Sequence, residues 1–116
     1  MSAEYTQKRK PTNDELRLIK FLITESSIKL PNNWELQLTV KPMNDQGMGS
    51  LFLFLSNNNE RKFGEQISEC SFIDNDGVKV IASLNVDQYG ELFELDIWKV
   101  DYTPLIKLPD DFNKSL

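Results

Sequence analysis

Two carboxylates lie two residues apart in the C-terminal part of the chain, and their types and spacing could do chemistry. Glu94 and Asp96 fall in a segment of alternating polar and apolar residues, Leu92–Trp98, and this alternation predicts a β-strand. On a strand they share one face, with their Cα atoms about 7 Å apart. Paired carboxylates at such separations perform acid–base catalysis on glycosides. One function open to this chain is therefore a carboxylate-dependent hydrolase that uses Glu94 and Asp96.

The same predicted face carries a large aromatic residue. Trp98 follows Asp96 by two residues, and an aromatic side chain among acids is typical of an interface anchor with a charged rim. The predicted partner-binding residues are Glu91, Glu94, Asp96, Trp98 and Asp101. Two alternatives stay open. Either the acids are ordinary solvated groups, or Trp98 is covered by the helix or the C-terminal tail and belongs to the core.

Composition restricts the other kinds of catalytic and cofactor chemistry. The chain has no histidine and a single cysteine, Cys70. This excludes Ser–His–Asp and Cys–His nucleophiles, His-containing and Cys₄ zinc sites and cysteine-ligated iron–sulfur clusters. Gly47-Met48-Gly49 has no predicted helix behind it, so it indicates a turn rather than a nucleotide-binding loop. We expect a non-enzymatic protein with no catalytic residue, no metal and no cofactor.

Charge is distributed unevenly along the chain. The net charge is −5, and residues 64–116 carry four lysines against eleven acidic residues, a balance of −7. An acidic surface repels nucleic acid and membrane headgroups and favours basic partners. A basic protein partner is therefore expected, with no nucleic acid and no membrane. Solubility of a sheet surface explains the same acids more simply.

Three features bear on the compartment. Residues 1–15 are polar and lack the apolar segment of a secretory signal. The apolar run Leu51–Leu55 is too short to span a bilayer. Cys70 cannot form an internal disulfide, which fits a reducing compartment. The expected localisation is cytoplasmic.

The first predicted element is an N-terminal helix. Thr12 and Glu15 have the spacing of a capping box. Apolar residues then recur at helical spacing, namely Leu16, Ile19, Leu22 and Ile23. This pattern predicts a helix over residues 13–25, with Leu16, Ile19 and Ile23 facing the sheet. The preceding residues, 1–10, are expected to form a flexible arm ahead of a single α+β domain, 11–116.

After Pro31 the apolar period changes from helical to two, which predicts strands. The predicted strands are Trp34–Val40, Ser50–Leu55, Gln66–Ile73, Val78–Val86 and Glu91–Val100. In the last of them, one face is expected to carry Phe93, Leu95 and Ile97, and the other Leu92, Glu94, Asp96, Trp98 and Val100. Short turns join successive strands, so the predicted fold class is α+β. We expect an N-terminal helix packed on an antiparallel meander sheet of about five strands, with Ser50–Leu55 internal.

Several short motifs are similar to those of a known family. They are Arg9-Lys10-Pro11-Thr12 with Glu15-Leu16, Gly47-Met48-Gly49-Ser50, Asp76-Gly77-Val78, Leu84-Asn85-Val86-Asp87, and the run from Gly90 to Asp101. Over about residues 9–109 the chain resembles small bacterial proteins grouped as a domain of unknown function. Similar Leu-Phe-Glu-Leu-Asp-Ile-Trp strands occur in immunity proteins, which neutralise toxins of polymorphic-toxin systems. The resemblance implies an immunity-type role without catalytic residues, and a regulatory domain remains the other alternative.

Overall fold

The computed structural model describes residues 7–56 and 60–114, and the side chains of these residues up to 112. Within those ranges the chain forms two helices and one sheet of six strands. The helices are α1 (Asn13–Thr24) and α2 (Trp34–Gln37). The strands are β1 (Thr39–Pro42), β2 (Leu51–Phe54), β3 (Phe63–Ile73), β4 (Lys79–Asp87), β5 (Leu92–Lys99) and the two-residue β6 (Asn113–Lys114). The predicted mixed fold with an antiparallel sheet is confirmed.

The strand order differs from the predicted meander. The order is β1-β2-β5-β4-β3-β6, with every neighbouring pair antiparallel. β3, β4 and β5 do form a meander, but β2 pairs with β5 rather than with β3. Because β2 and β3 stand three places apart, their ends are separated by about 14 Å. The eight-residue connection 55–62 can reach about 26 Å, so this crossover is sterically easy and the turns do not reveal it.

Helix α1 begins where the sequence predicts. The Thr12 hydroxyl accepts a hydrogen bond from the Glu15 amide at 3.1 Å, and the Thr12 amide donates to the Glu15 carboxylate at 2.9 Å. This reciprocal pair satisfies two amides that have no partner within the helix. The helix ends at Thr24, one residue before the predicted end.

The core face of α1 is centred slightly differently from the prediction. Leu18, Ile19 and Leu22 are fully buried, whereas Leu16 and Ile23 are only partly buried against the core. The helix contacts β3 and β4, and the Ser68 hydroxyl on β3 donates to the carbonyl of Leu22 at 2.8 Å. Leu18 was missed because it is offset from the Leu16–Ile19–Ile23 stripe, although it lies one turn before Leu22.

The predicted strand from Trp34 is wrong over its first half. Trp34–Gln37 forms helix α2, which follows Asn33 in the left-handed region (φ 66°). The side chain of Leu36 is 75% exposed, so the alternation that suggested a strand does not reflect burial. The Lys10 ammonium donates to the carbonyls of Leu36 and Leu38. These hydrogen bonds satisfy carbonyls at the end of the short helix. Their donor, Lys10, lies far from α2 in the sequence.

The predicted flexible arm is residues 1–10. Of these, residues 7–10 are described by the structure, and residues 1–6 lie outside the described residues. Arg9 forms a two-way backbone bridge with Val40 on the edge of β1, with distances of 2.8 and 2.7 Å. Its guanidinium pairs with Glu15 at 2.8 Å. Arg9 and Lys10 therefore belong to the folded domain, because a backbone bridge and side-chain contacts hold them to it.

The two faces of the sheet are unequal. One face carries the core, formed with the helices by the fully or nearly buried strand residues Val40, Leu51, Leu53, Cys70, Phe72, Val80, Ala82, Leu84, Leu92, Leu95 and Ile97. The opposite face, here called the open face, carries Lys41, Phe52, Phe54, Glu69, Ser71, Ile73, Lys79, Ile81, Ser83, Asn85, Glu94, Asp96, Trp98 and Val100. Both helices pack on the core side, so neither of them covers the open face.

Gly64 on β3 tests how tightly the edge of the sheet is packed. An added Cβ would lie 2.2 Å from the Asp87 carbonyl oxygen, beside a bulge in the β3–β4 pairing. We expect Gly64→Ala to lower the free energy of unfolding by about 1–3 kcal/mol, because the backbone must move apart. Gln66→Ala, at an exposed position of the same strand, serves as control. Equal urea midpoints for the two variants would contradict the close approach.

Candidate functional site

β5 brings three of the five predicted binding residues together on the open face. Across the β4–β5 ladder, Glu94 faces Asn85, Asp96 faces Ser83 and Trp98 faces Ile81. Opposite residues of an antiparallel pair lie on the same face. The shared facing of Glu94, Asp96 and Trp98 is therefore confirmed.

Trp98 is not a core residue. Its side chain is 40% exposed, and its ring meets that of Tyr102 edge-on, with 6.1 Å between centroids. Tyr102 itself is 63% exposed. The alternative that buries Trp98 under the helix is wrong. The C-terminal tail does touch Trp98, but through a side chain that is itself largely in solvent.

Further exposed apolar side chains continue from Trp98 toward the end of the sheet. Ile73 and Val100 are exposed, and both flank Lys79 in the sheet. With Ile81, Trp98 and Tyr102 they form what we call the aromatic end of the open face. Lys79 lies between Ile73 and Val100, so the patch is apolar around one lysine. An exposed apolar patch of several residues marks an interaction site more often than scattered residues do. Sequence reasoning missed Ile73 and Tyr102 because one ends a strand and the other lies beyond one.

The two carboxylates lie on an open surface rather than in a cleft. Glu94 accepts from the Asn85 amide at 3.4 Å, and Asp96 accepts from the Ser50 hydroxyl at 3.4 Å. Four clefts of about 290 to 380 Å³ are lined by described residues, and neither carboxylate lines any of them. A glycosidase binds its substrate in a concave site where both carboxyl groups flank the scissile bond and leave room for the attacking water. The hydrolase alternative therefore gains no support from this geometry.

Glu91 and Asp101 lie away from the centre of the face. They fall in turns at opposite ends of β5, a strand of eight residues that is about 26 Å long. Glu91 accepts from the Ser56 hydroxyl at 3.0 Å. Asp101 accepts from the hydroxyl and the amide of Thr103, and these hydrogen bonds lower the pKa of Asp101. These two acids could form only the outer rim of a large interface.

One predicted facing on β5 is wrong. Leu92 is fully buried in the core, whereas Phe93 is half-buried and lies outside the core cluster. The cause is a β-bulge, because the β4–β5 pairing shifts by one residue between Asn85 and Val86. An extra residue in one strand reverses the facing beyond it, and the alternation of Leu92–Trp98 gives no sign of that shift.

Phe93 belongs to a cluster of cations and aromatic rings at the other end of β5. The Arg61 guanidinium lies 4.9 Å from the ring centroid of Phe93 and 5.4 Å from that of Phe54. Its Nε lies 3.1 Å from Asp87, with both side chains almost fully buried. The Lys8 ammonium covers the ring of Phe54 at 4.0 Å. We call this group the cationic end, and no sequence signal pointed to it.

A buried ion pair lies beneath the aromatic end, on the core side of β5. Lys99 is fully buried, and its ammonium donates to Asp74 at 2.8 Å, to Asp76 at 2.7 Å and to the carbonyl of Pro104 at 3.1 Å. The favourable contacts with both carboxylates outweigh burial and raise the pKa of Lys99. The signal available in the sequence was its register, since Lys99 follows Leu95 and Ile97 on the core face.

Asp74 connects this ion pair to the C-terminal tail. Its carboxylate accepts from the backbone amides of Ile106 at 2.8 Å and Lys107 at 3.1 Å. Burial by itself raises the pKa of Asp74, but the hydrogen bonds from Lys99 and from backbone amides outweigh it and lower the pKa to about 2. The tail is thus held against the domain, with Leu108 buried in the core.

Cys70 is enclosed in the core. It is a fully buried free cysteine, and burial raises the pKa of its thiol to about 11. A thiol in this state is a poor nucleophile and metal ligand. Among the described residues, no group of three or more His, Cys, Asp or Glu side chains is arranged to hold a metal ion.

Comparison with known proteins identifies a family without an assigned activity. Residues 8–109 match DUF6984, a domain of unknown function. No curated protein and no solved structure matches the chain. The chain therefore belongs to the DUF6984 family, which confirms the predicted resemblance to a family of unknown function. In the described part of the chain, no helix has the length and apolarity needed to cross a membrane.

The Lys99 ion pair makes a prediction about stability. We expect Lys99→Met to lower Tm by about 10 °C or more, because it leaves two carboxylates without their cation, one of them buried. Lys79→Met, at an exposed position of the neighbouring strand, should change Tm by only a degree or two. Thermal unfolding followed by circular dichroism measures both. Similar melting of the two variants would show that the ion pair is not needed.

Acid should weaken the same contact in a defined pH range. The pKa of Asp74 is lowered from 3.8 to about 2 in the folded protein, so its contribution to stability is complete above about pH 4 and is lost toward about pH 2. The difference in unfolding free energy between the wild type and Asp74→Asn should therefore become smaller as the pH falls from about 4 to about 2. Urea unfolding at several pH values measures it, and a constant difference would contradict the assignment.

Proposed function

We propose that this DUF6984 protein is a non-enzymatic protein-binding domain that holds a basic partner against the open face of its sheet. The observation that carries the proposal is Trp98, 40% exposed beside the carboxylates of Glu94 and Asp96. Large aromatic side chains dominate the binding energy of many interfaces. A partly exposed tryptophan on a rigid strand can bury more surface in a complex with little loss of conformational entropy.

Charge favours a basic partner over a second copy of the chain. Residues 64–116 carry a balance of −7, and Glu94 and Asp96 lie midway along the open face. A two-fold dimer through this face would bring these carboxylates against their own copies, which is unfavourable. A partner carrying lysine and arginine would instead pair with them and would be steered to the face by its field.

The biological role that we propose is that of an immunity-type protein, which neutralises a toxin by covering a basic surface on it. Two observations support this role. The Leu92–Trp98 segment resembles strands of such proteins, and the open face supplies an anchor and a charged surface but no enclosed catalytic pair. We place the protein in the cytoplasm as part of the same proposal, because a free, buried Cys70 fits a reducing compartment.

The experiment is a comparison of tagged baits in an extract of the source organism. The baits are the wild type, Trp98→Ala and, as matched control, Tyr89→Ala, which removes a 62% exposed aromatic from the turn after β4. We expect a basic protein to be retained by the wild type and the control and lost with Trp98→Ala. Retention by all three baits would show that the interface lies elsewhere.

Kinetics with the purified partner then separate the anchor from the rim. Trp98→Ala should mainly raise the off-rate and cost about 2 kcal/mol or more of binding free energy. Glu91→Gln with Asp101→Asn should mainly lower the on-rate, and added salt should do the same. The fold should tolerate Trp98→Ala at a smaller cost than the about 3–5 kcal/mol of a fully buried tryptophan, because 40% of the residue is already exposed. Unfolding of this variant would contradict the anchor role.

A further inference from the structure

Trp98 and Tyr102 form an open corner at the aromatic end. Their ring planes meet at 61°, with centroids 6.1 Å apart. Tyr102 adopts the left-handed backbone conformation (φ 64°), and its amide donates to the Lys99 carbonyl at 2.9 Å. This turn directs the chain back at the end of β5, so that the tyrosine ring meets the tryptophan ring. The corner is therefore built by backbone geometry and not by a chance contact of two side chains.

Tyr102, the second wall of the corner, is carried by a backbone segment that contacts on the core side hold in place. The Lys99 ammonium binds the Pro104 carbonyl, and Asp74 accepts from the Ile106 and Lys107 amides. Between these contacts the Leu105 amide donates to the Gly47 carbonyl at 3.0 Å. The backbone that carries Tyr102 is thus fixed before any ligand arrives, which reduces the entropy lost on binding.

Acidic groups outnumber basic ones around the corner, with Asp96 and Asp101 on one side of the count and Lys79 on the other. Asp96 precedes Trp98 by two residues on the same face, about 7 Å away. Asp101 directly precedes Tyr102 and is exposed. The nearby cation is Lys79, whose backbone carbonyl accepts a hydrogen bond from Val100. Along the chain, Val100 and Asp96 lie on opposite sides of Trp98. A ligand cation in the corner is therefore favoured on the Asp96 side.

The chain itself shows what such an arrangement holds. At the cationic end, the Arg61 guanidinium lies against the ring of Phe93 and within 3.1 Å of the Asp87 carboxylate. The guanidinium also donates to the carbonyls of Leu53 and Leu92 at 2.9 Å, so ring, carboxylate and backbone hold it together. The Trp98–Tyr102 corner offers aromatic faces and nearby carboxylates, but without an arginine of its own.

We propose that the Trp98–Tyr102 corner is the seat of an arginine side chain of the basic partner, an inference that rests on the proposed function. A guanidinium is planar, so it stacks on an indole face while its edge donors stay free to reach Asp96. A lysine ammonium can contact the aromatic face or the carboxylate. It is not planar, so it cannot stack on the ring and bind the carboxylate through two parallel hydrogen bonds at the same time. The corner therefore selects arginine over lysine.

The test uses blocked tripeptides as probes and the two tryptophan indole N–H signals in NMR spectra of the full chain. N-acetyl-Gly-Arg-Gly-amide should shift the Trp98 signal in a saturable way and leave that of Trp34 unchanged. The citrulline peptide has nearly the same shape but no charge, and its affinity should be at least about fivefold lower than that of the arginine peptide. The affinity of the lysine peptide should be about threefold lower. Equal binding of the arginine and citrulline peptides would overturn the proposal.

Variants of the second wall make the test specific. Tyr102→Ala should weaken the arginine peptide about threefold or more, whereas Tyr102→Phe should retain it, because the ring rather than the hydroxyl forms the wall. Asp96→Asn should weaken it as well, and Tyr89→Ala should not. Full binding by Tyr102→Ala would show that no corner is used.

Failure of this inference differs from failure of the proposed function. If Trp98→Ala abolishes capture of the basic partner while no arginine peptide binds, the face is an interface but the corner is not an arginine seat. If the arginine peptide binds as expected while no partner depends on Trp98, the corner recognises arginine and the proposed function fails.

Discussion

The ammonium of Lys99 and the carboxylate of Asp74, 2.8 Å apart and buried, join the parts of the molecule that the candidate site needs. Lys99 ends β5, Asp74 begins the turn between β3 and β4, and the tail binds to both. Burying two charges is costly unless each is paired and hydrogen-bonded. Here the pair is supplemented by Asp76 and by backbone groups of the tail. The cost of separating them holds the end of the sheet and the tail together.

The two sheet faces are used unequally, because the apolar residues of one face pack with the helices. With the tail and the helices packed on the core side, the open face is left to present surface groups in bands along β5. Phe93 with Arg61 lies at one end, the carboxylates of Glu94 and Asp96 in the middle, and Trp98 with Tyr102 at the other. A rigid face with three chemically different bands suits recognition of another protein surface better than turnover of a small substrate.

Local patterns predicted the features that local physics controls. The capping box of Thr12 and Glu15 places the start of α1, because its hydrogen bonds join residues three apart. The turns at Gly77 and Gly90 are local as well, because both glycines take the positive φ that a residue without Cβ adopts at no steric cost. The shared facing of Glu94, Asp96 and Trp98 follows from strand alternation within five residues. The short helix α2 was missed because the alternation from Trp34 to Val40 predicted a strand, although Leu36 is 75% exposed.

The sequence by itself determined the N-terminal helix, the antiparallel strands, the absence of histidine chemistry and the acidic character of the C-terminal half. Only the tertiary structure decided that β2 pairs with β5, that a bulge buries Leu92 in place of Phe93, and that Lys99 lies in the core with Asp74. These features depend on contacts between residues far apart in the chain. Periodicity indicates which residues share a face of one element. The energy of a buried charge depends on the opposite charge beside it, and that of a strand on its neighbouring strand, and only the fold brings these partners together.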